Sequence, residues 1–193
     1  MSDFLFAIAQ ALWLFLPLLF AAAIGGVVLR RDLLRWARRP IDGGATWRGR
    51  RLFGDHKTWR GVVVAVTCGS AFAAFQEHVV GDAVGALAVV DWRTVPSPVF
   101  GALMGLGAML GELPNSFVKR RLDIAPGRTT TGPWSIVFYV WDQVDLLFGA
   151  WPLIAWWVQP SARLVVASLV LGMLGHPTVS LLGRLVGARR TAR

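Results

Sequence analysis

Five long runs of apolar residues follow one another along this 193-residue chain, separated by polar segments. Runs of about 20 apolar residues are long enough to cross the hydrocarbon core of a membrane as helices. The pattern therefore predicts an all-α integral membrane protein with about five transmembrane helices, forming a single domain over 1–193. The predicted spans are 4–29, 62–80, 92–113, 134–158 and 164–186.

The third run is the weakest of the five, because its uninterrupted apolar core extends only over 99–113. Such a helix is expected to be short, tilted or partly re-entrant. It contains two G-x-x-x-G pairs, Gly101 with Gly105 and Gly107 with Gly111, which allow helices to pack closely in lipid. Packing is the favoured role for these glycines, and they permit a homodimer without requiring one.

Composition and charge agree with a membrane protein. The chain is 55% hydrophobic, with a mean hydropathy of +0.54, which is too apolar for a soluble domain of this size. Its net charge of +9 is concentrated in three segments, 30–60, 114–133 and the tail from 184. With five spans these segments share one side, so the positive-inside rule puts the N-terminus outside and the C-terminus in the cytoplasm. We therefore expect a multi-pass cell-membrane protein that does not bind nucleic acid.

Two aspartates, Asp142 and Asp145, interrupt the fourth apolar run. A charge at membrane depth is costly and marks a functional site by default. At spacing i, i+3 the two carboxylates share one helix face, which suits a divalent cation. If the helix begins near Trp134, they lie roughly 12–16 Å below the surface. Either a water-filled cavity or a bound cation is then required, unless Arg60, Arg120 or Arg121 neutralises them by salt bridges.

The first basic segment, 42–61, is rich in glycine, with hydroxyl and cationic side chains between the glycines. Glycines let backbone N–H groups approach a phosphate, and Lys57, Thr58 and Arg60 lie directly before the second span. This favours phosphate binding over a plain turn-rich connector. Trp47 and Trp59 are candidates either to stack on a base or to anchor the loop at the headgroups. Neither a Walker A motif nor a dinucleotide-binding fingerprint is present.

The second basic segment follows the third run directly. Ser116, Lys119 and Arg120 lie within about one helical turn, so they can present a hydroxyl and two cations to one ligand. Glu112 is either a solvated end charge or a third carboxylate for the metal. Mg²⁺ commonly uses one or two carboxylates plus substrate phosphates. Together these groups indicate an enzyme acting where a soluble nucleotide meets a lipid phosphate, with the direction of reaction left open.

A family resemblance narrows this interpretation. The sequence SFVKRR at 116–121, Pro126-Gly127 and the D-x-x-D of 142–145 resemble the CDP-archaeol synthase family. That family is related to bacterial CDP-diacylglycerol synthases, whose signature also joins S-x-x-K-R to D-x-x-D. The stretches 42–44, 52–54 and 57–61 are similar to the family's first cytoplasmic loop. The resemblance covers about 40 to 150 of the chain, and its motifs are specific in combination.

The resemblance implies a five-helix membrane enzyme that transfers CMP from CTP to a lipid phosphate, with Mg²⁺, and releases pyrophosphate. The lipid phosphate oxygen would attack the α-phosphorus of CTP, and this nucleophile is already ionised near neutral pH. The resemblance implies that Asp142 and Asp145 are metal ligands, with Glu112 at a position where the family has an acidic residue. It implies that Lys119 and Arg120 neutralise phosphate charge and that Ser116 donates a hydrogen bond to a phosphate. Binding of the nucleotide or lipid phosphate is implied for Lys57, Thr58, Arg60 and Arg121.

The chain departs from the family pattern in three respects. The connector 128–141 is long, the last helix matches less clearly, and the lipid itself does not carry over, so phosphatidate or an isoprenoid-like phosphate are both open. A CDP-alcohol phosphatidyltransferase is excluded, because Asp42-Gly43 is not followed by the required x-x-A-R. The remaining alternative is a non-catalytic basic membrane protein that binds anionic lipid or assists a transporter, which would need no carboxylate pair.

Overall fold

The structure, a computed structural model, describes residues 2–125 and 132–185, with the side chains of the last helix described up to Gly175. It is mostly helical, and each predicted apolar run corresponds to one long helix. These helices are α1 (Ser2–Arg30), α2 (Trp59–Phe75), α3 (Ser97–Arg121), α4 (Ser135–Val158) and α5 (Ala162–Leu185).

Among the residues that the structure describes, two helical stretches are long and apolar enough to cross a membrane, Asp3–Arg30 and Trp59–Val80, and the apolar stretch Ala162–Gly175 is shorter. α3 and α4 have comparable lengths but carry charged side chains. The outer surface of the molecule exposes large apolar side chains, with Trp156 85% and Phe148 63% exposed. Soluble proteins seldom leave so much apolar surface in water, so this surface suits contact with lipid.

α3 lies between α2 and α4 and makes the most extensive contacts of any helix. α1 packs on α2 and α5, and α5 also contacts α4. The two glycine pairs of α3 point to different neighbours: Gly101 and Gly105 meet the backbone of α2, whereas Gly107 and Gly111 meet that of α4. The predicted close packing is therefore confirmed within one chain. Both glycine faces are covered, so they no longer argue for a homodimer.

The bounds of α3 correct the sequence prediction. The helix begins at Ser97, continues through Pro114 and ends at Arg121, eight residues beyond the predicted end of the third run. The expectation of a short helix was wrong, because Asn115 and Lys119 after Pro114 find partners on α4 and the helix continues. Its tilt or partial re-entry in a membrane stays a prediction. The S-x-x-K-R motif is therefore the last part of a helix that packs against the aspartate-bearing helix.

The segment between α1 and α2 is folded. A 3₁₀ turn, Arg35–Ala37, precedes a two-stranded hairpin of β1 (Thr46–Trp47) and β2 (Arg50–Arg51). Arg48 and Gly49 form its turn with φ of 51° and 75°, as the commonest two-residue hairpin turn requires. The sequence analysis treated this segment as a loop, so the all-α description needs this small correction. A π turn, Gln76–Val80, and a 3₁₀ segment, Gly81–Leu87, extend from the other end of α2.

Candidate active site

The two aspartates of α4 converge on one side chain of α3. Asn115 Nδ2 donates hydrogen bonds to Asp142 Oδ1 at 2.6 Å and to Asp145 Oδ2 at 2.8 Å. Asn115 is only 3% exposed, and its Oδ1 is buried without a hydrogen-bond partner among the described residues. A buried amide oxygen with no donor is unusual. One oxygen from each carboxylate therefore faces a common point beside a free amide oxygen.

The two carboxylates differ in exposure. Asp145 is 6% exposed, and its second oxygen accepts a hydrogen bond from the backbone N–H of Leu146 at 2.8 Å. The side chain of Asp142 is 41% exposed and forms an ion pair with Lys119 Nζ. Lys119 also lies 5.6 Å from the ring centroid of Phe138. Asp142 thus lies at the rim of the site and Asp145 at its base.

The sequence analysis weighed salt bridges from Arg60, Arg120 or Arg121 to the aspartates. In the described part of the chain, Lys119 is the ion-pair partner of Asp142, and none of the three arginines bonds to either carboxylate. α4 begins at Ser135, within one residue of the predicted start. The aspartates therefore lie two to three helical turns after the N-terminal end of α4, as expected.

Lys57 and Glu112 connect the segment between α1 and α2, called the first loop below, to α3. Lys57 Nζ donates a hydrogen bond to Glu112 Oε2, and both side chains are largely buried, at 25% and 20% exposed. Within 2–125 and 132–185 no three His, Cys, Asp or Glu side chains are arranged to hold a metal ion. Glu112 is paired with Lys57, and both lie close enough to Asp145 to interact with it electrostatically. The role of Glu112 as a third metal ligand stays a prediction.

Arg120 and Ser116 differ from their neighbours in having no partner. Among the described residues, no hydrogen bond or ion pair reaches either side chain. The Nε of Arg120 is buried as well as unpaired. A half-buried guanidinium without an acceptor is costly, so this end of α3 has unused capacity to bind an anion.

Arg60 is engaged inside the protein and Thr58 stands at the start of α2, and their phosphate-binding roles stay predictions. Arg60 is 8% exposed and donates to Asp32 Oδ1 at 3.0 Å and to the Leu33 carbonyl at 3.3 Å, at the bend after α1. This hydrogen bond lowers the pKa of Asp32. Thr58 is the N-cap residue of α2, but its side chain makes no capping hydrogen bond. Arg60 therefore ties the start of α2 to α1 in the described structure.

Arg121 contacts the first loop rather than the aspartates. Its guanidinium donates to the backbone carbonyls of Trp47, Arg50 and Arg51, at 3.0 Å for Arg50 and 2.5 Å for Arg51. It also lies 5.0 Å from the ring centroid of Phe117. The phosphate-binding role expected for Arg121 thus competes with three hydrogen bonds inside the protein.

Sequence reasoning missed two residues that organise this region, Asn115 and Asp42. Asn115 is three residues after Glu112 and four before Lys119, so it shares their helix face; the predicted end of the third run hid this signal. The Asp42 carboxylate is fully buried and accepts from the backbone N–H groups of Gly44, Phe53 and Gly54 and from Arg51. Burial raises the Asp42 pKa, but these donors outweigh it and lower the pKa to about 2. Pro126, Gly127 and the tail from 186 lie outside the described residues.

The sequence model of a family described as CarS-like CDP-archaeol synthase matches residues 4–190. A CDP-archaeol synthase of Thermococcus onnurineus is 37% identical over 123 residues, 63% of this chain and 64% of its own length. One from Methanospirillum hungatei is 33% identical over 183 residues, 91% of this chain and 96% of its own length.

The structural comparison agrees with the sequence comparisons. A solved structure described as an intramembrane enzyme for archaeal membrane lipid biosynthesis has a TM-score of 0.61 and 31% sequence identity, covering 89% of this chain and 92% of that one. The match to the Thermococcus relative, by contrast, spans less than two thirds of that relative's length. Family membership therefore rests on the family model and on the near full-length matches.

Proposed function

Because this chain belongs to the CarS-like CDP-archaeol synthase family, we propose that it transfers CMP from CTP to a lipid phosphate. In this reaction an oxygen of the lipid phosphate attacks the α-phosphorus of CTP. The bond from the α-phosphorus to the bridging oxygen breaks, and pyrophosphate leaves. The products are a CDP-lipid and pyrophosphate, and the setting is phospholipid biosynthesis in the membrane.

The observation that carries the proposal is the convergence of Asp142 and Asp145 on one point in the bundle. These carboxylates and the unpaired Oδ1 of Asn115 form a set of hard oxygen donors, which fits Mg²⁺. Asn115 now fills the space between the carboxylates with an N–H donor, and rotation of its amide would turn Oδ1 toward a cation. Mg²⁺ held there would neutralise charge on the triphosphate.

The basic and hydroxyl side chains near the aspartates suit phosphate binding. Arg120 and Ser116 have no partner among the described residues, so they can donate hydrogen bonds to phosphate oxygens without losing a contact. Lys119 is paired with Asp142 and lies on the same face of α3 as Asn115. We assign Lys119 and Arg120 to charge neutralisation and Ser116 to a hydrogen bond. Lys57 reaches the site from the first loop through Glu112.

We further propose five membrane spans, with the N-terminus outside and the site facing the cytoplasm. The support is that the two internal basic segments lie at the same end of the helix bundle, since Arg121 at the end of α3 bonds to the first loop. A common basic end agrees with the positive-inside rule. CTP would then arrive from the cytoplasm and the lipid phosphate from the inner leaflet.

The test is an assay of the purified chain in lipid nanodiscs with CTP, Mg²⁺ and a panel of lipid phosphates. The panel includes archaeal-type ether lipid phosphate and phosphatidate. We expect Mg²⁺-dependent formation of a CDP-lipid, detected by mass spectrometry, from at least one of them. Asp142→Asn and Asp145→Asn should each lower kcat by at least about a hundredfold, because electrostatic stabilisation of this kind contributes that much.

Asp91→Asn serves as the matched control, because Asp91 is a half-exposed aspartate whose described contact is Arg93, in the segment before α3. It should retain the activity of the wild type. Absence of CDP-lipid from every lipid phosphate would contradict the enzyme proposal and favour a non-catalytic protein that binds anionic lipid. Full activity of both aspartate variants would contradict the metal assignment alone.

A further inference from the structure

The first loop is docked on the C-terminal end of α3 by contacts that run in both directions. Arg121 donates to the backbone carbonyls of Trp47, Arg50 and Arg51. In return, Arg50 donates to the backbone carbonyl of Arg121, and to Asp123 Oδ2 at 2.5 Å. Each hydrogen bond involves a charged side chain, which makes it stronger than a neutral one. The hairpin and the helix end therefore hold each other.

Aromatic contacts strengthen the same junction. The rings of Trp47 and Phe117 stack at 5.6 Å with an interplanar angle of 23°. The guanidinium of Arg121 lies 5.4 Å from the Trp47 ring and 5.0 Å from the Phe117 ring. The junction is thus a packed cluster of two rings and one cation. Trp47 is occupied within the chain, which weakens its candidacy for stacking on a nucleotide base.

The loop is also rigid within itself, so docking one part fixes the rest. The buried Asp42 carboxylate collects N–H groups from both sides of the hairpin, and Arg51 links Asp42 to Asp55. The backbone of Ile41 bonds to Lys57 at 2.8 Å, which closes the base of the loop. Lys57 then reaches Glu112 on α3. A displacement at the hairpin would therefore be passed to Lys57.

We infer that Arg121 is a positioning residue, which docks the first loop on α3 and thereby sets Lys57 against the site, rather than a ligand of substrate phosphate. This inference rests on the proposed function for its catalytic consequence, but the docking itself is independent of it. Arg121 differs from its neighbour Arg120, whose guanidinium has no partner among the described residues. Binding of a phosphate by Arg121 would require it to release carbonyls that hold the loop.

Substitution by lysine separates the two roles. A lysine keeps the charge that a phosphate ligand needs, but its single ammonium cannot reproduce the planar fork that spans three carbonyls. We therefore expect Arg121→Lys to behave like Arg121→Met. Hydrogen exchange at the amide of Leu52, which bonds to the Ala45 carbonyl at 3.0 Å, should accelerate about tenfold in both variants without any ligand present. kcat/KM should fall about a hundredfold in both.

The experiment uses the full chain in nanodiscs, with hydrogen exchange followed by mass spectrometry over 45–53 and steady-state kinetics with CTP. Arg48→Met is the control, since Arg48 contacts the Trp47 ring but donates no hydrogen bond in the junction; it should match the wild type in both measurements. If the Arg121 variants do not fold, Arg50→Met breaks the same junction from the loop side and should give the same accelerated exchange.

Unchanged exchange in the Arg121 variants, or retention of most activity by Arg121→Lys alone, would overturn the inference and return Arg121 to direct phosphate binding. Failure of the proposed function has a different signature. In that case the wild type makes no CDP-lipid from any lipid phosphate, and the exchange measurement still decides whether Arg121 docks the loop.

Discussion

A close backbone contact between α3 and α4 offers a test of the fold that does not depend on any activity. Gly107 of α3 faces Gly149 of α4, and a Cβ built at Gly107 would lie 2.5 Å from the Gly149 carbonyl oxygen and 2.9 Å from the Ala150 Cα. Both atoms belong to the backbone, so no side chain can rotate away. Gly107→Ala should therefore force α3 and α4 apart by several tenths of an ångström to about 1 Å.

The expected magnitude follows from two opposing terms. Overpacking of a close contact costs about 1–3 kcal/mol, whereas alanine gains about 0.5–1 kcal/mol over glycine in a helix. Gly26→Ala in α1 isolates the second term, because nothing lies within 4 Å of a Cβ there. The difference in unfolding free energy between the two variants should thus be about 1–3 kcal/mol. For a chain of this size that is several degrees in melting temperature.

The assay is thermal unfolding in detergent micelles, followed by the fluorescence of the ten tryptophans. Gly149→Ala, which approaches the same contact from α4, should reproduce the loss seen with Gly107→Ala. The packing would be refuted if Gly107→Ala melted at or above the temperature of Gly26→Ala.

Three further predictions concern the site and the loop. Mg²⁺ should stabilise the protein against heat, and Asn115→Ala should raise the midpoint Mg²⁺ concentration of this effect about 10- to 100-fold, as for removal of an orienting group beside a metal. An unchanged midpoint would count against a role of Asn115 in the metal site. Arg120→Met should raise the KM for CTP about tenfold or more without lowering the melting temperature, because the described arginine makes no internal bond; an unaltered KM would remove it from the site. The pKa of Asp42 is depressed to about 2 from 3.8, so its stabilisation of the loop is complete above about pH 4 and is lost as the pH falls through 2. Exchange protection of the Phe53 amide should follow that curve in the wild type, whereas Asp42→Asn, whose amide does not titrate in this range, should show lower protection without that pH dependence; the same curve in that variant would contradict it.

The sequence predicted the helices well because each apolar run is long and is bounded by polar segments. It also predicted that Asp142 and Asp145 share a helix face and that the glycines of α3 pack closely. The bounds of α3 were wrong because Pro114 and the charged residues after it resemble a helix end. In the structure Asn115 and Lys119 bond to α4 and Arg121 bonds to the first loop, and these tertiary contacts cannot be read from the local sequence.

The partners of the arginines were not predictable for the same reason. Arg60, Arg120 and Arg121 are equivalent cations in the sequence, yet the first bonds to Asp32, the second has no described partner, and the third holds the hairpin. Spacing along a chain gives the face of a helix but not the residues that meet that face. No structural role was predicted for Asp42 or Asn115, because neither belongs to a charge run or a carboxylate pair.

The central claim is that the chain breaks CTP at its α-phosphorus and keeps CMP on the lipid. The most direct measurement supplies CTP labelled either at the α- or at the γ-phosphorus, together with Mg²⁺ and the lipid phosphate accepted in the panel assay. We predict that the α label enters the lipid fraction, that the γ label leaves as pyrophosphate, and that Asp145→Asn abolishes both. Transfer of the γ label to lipid would contradict the central claim. So would release of label from CTP when the α-labelled CTP gives no labelled lipid.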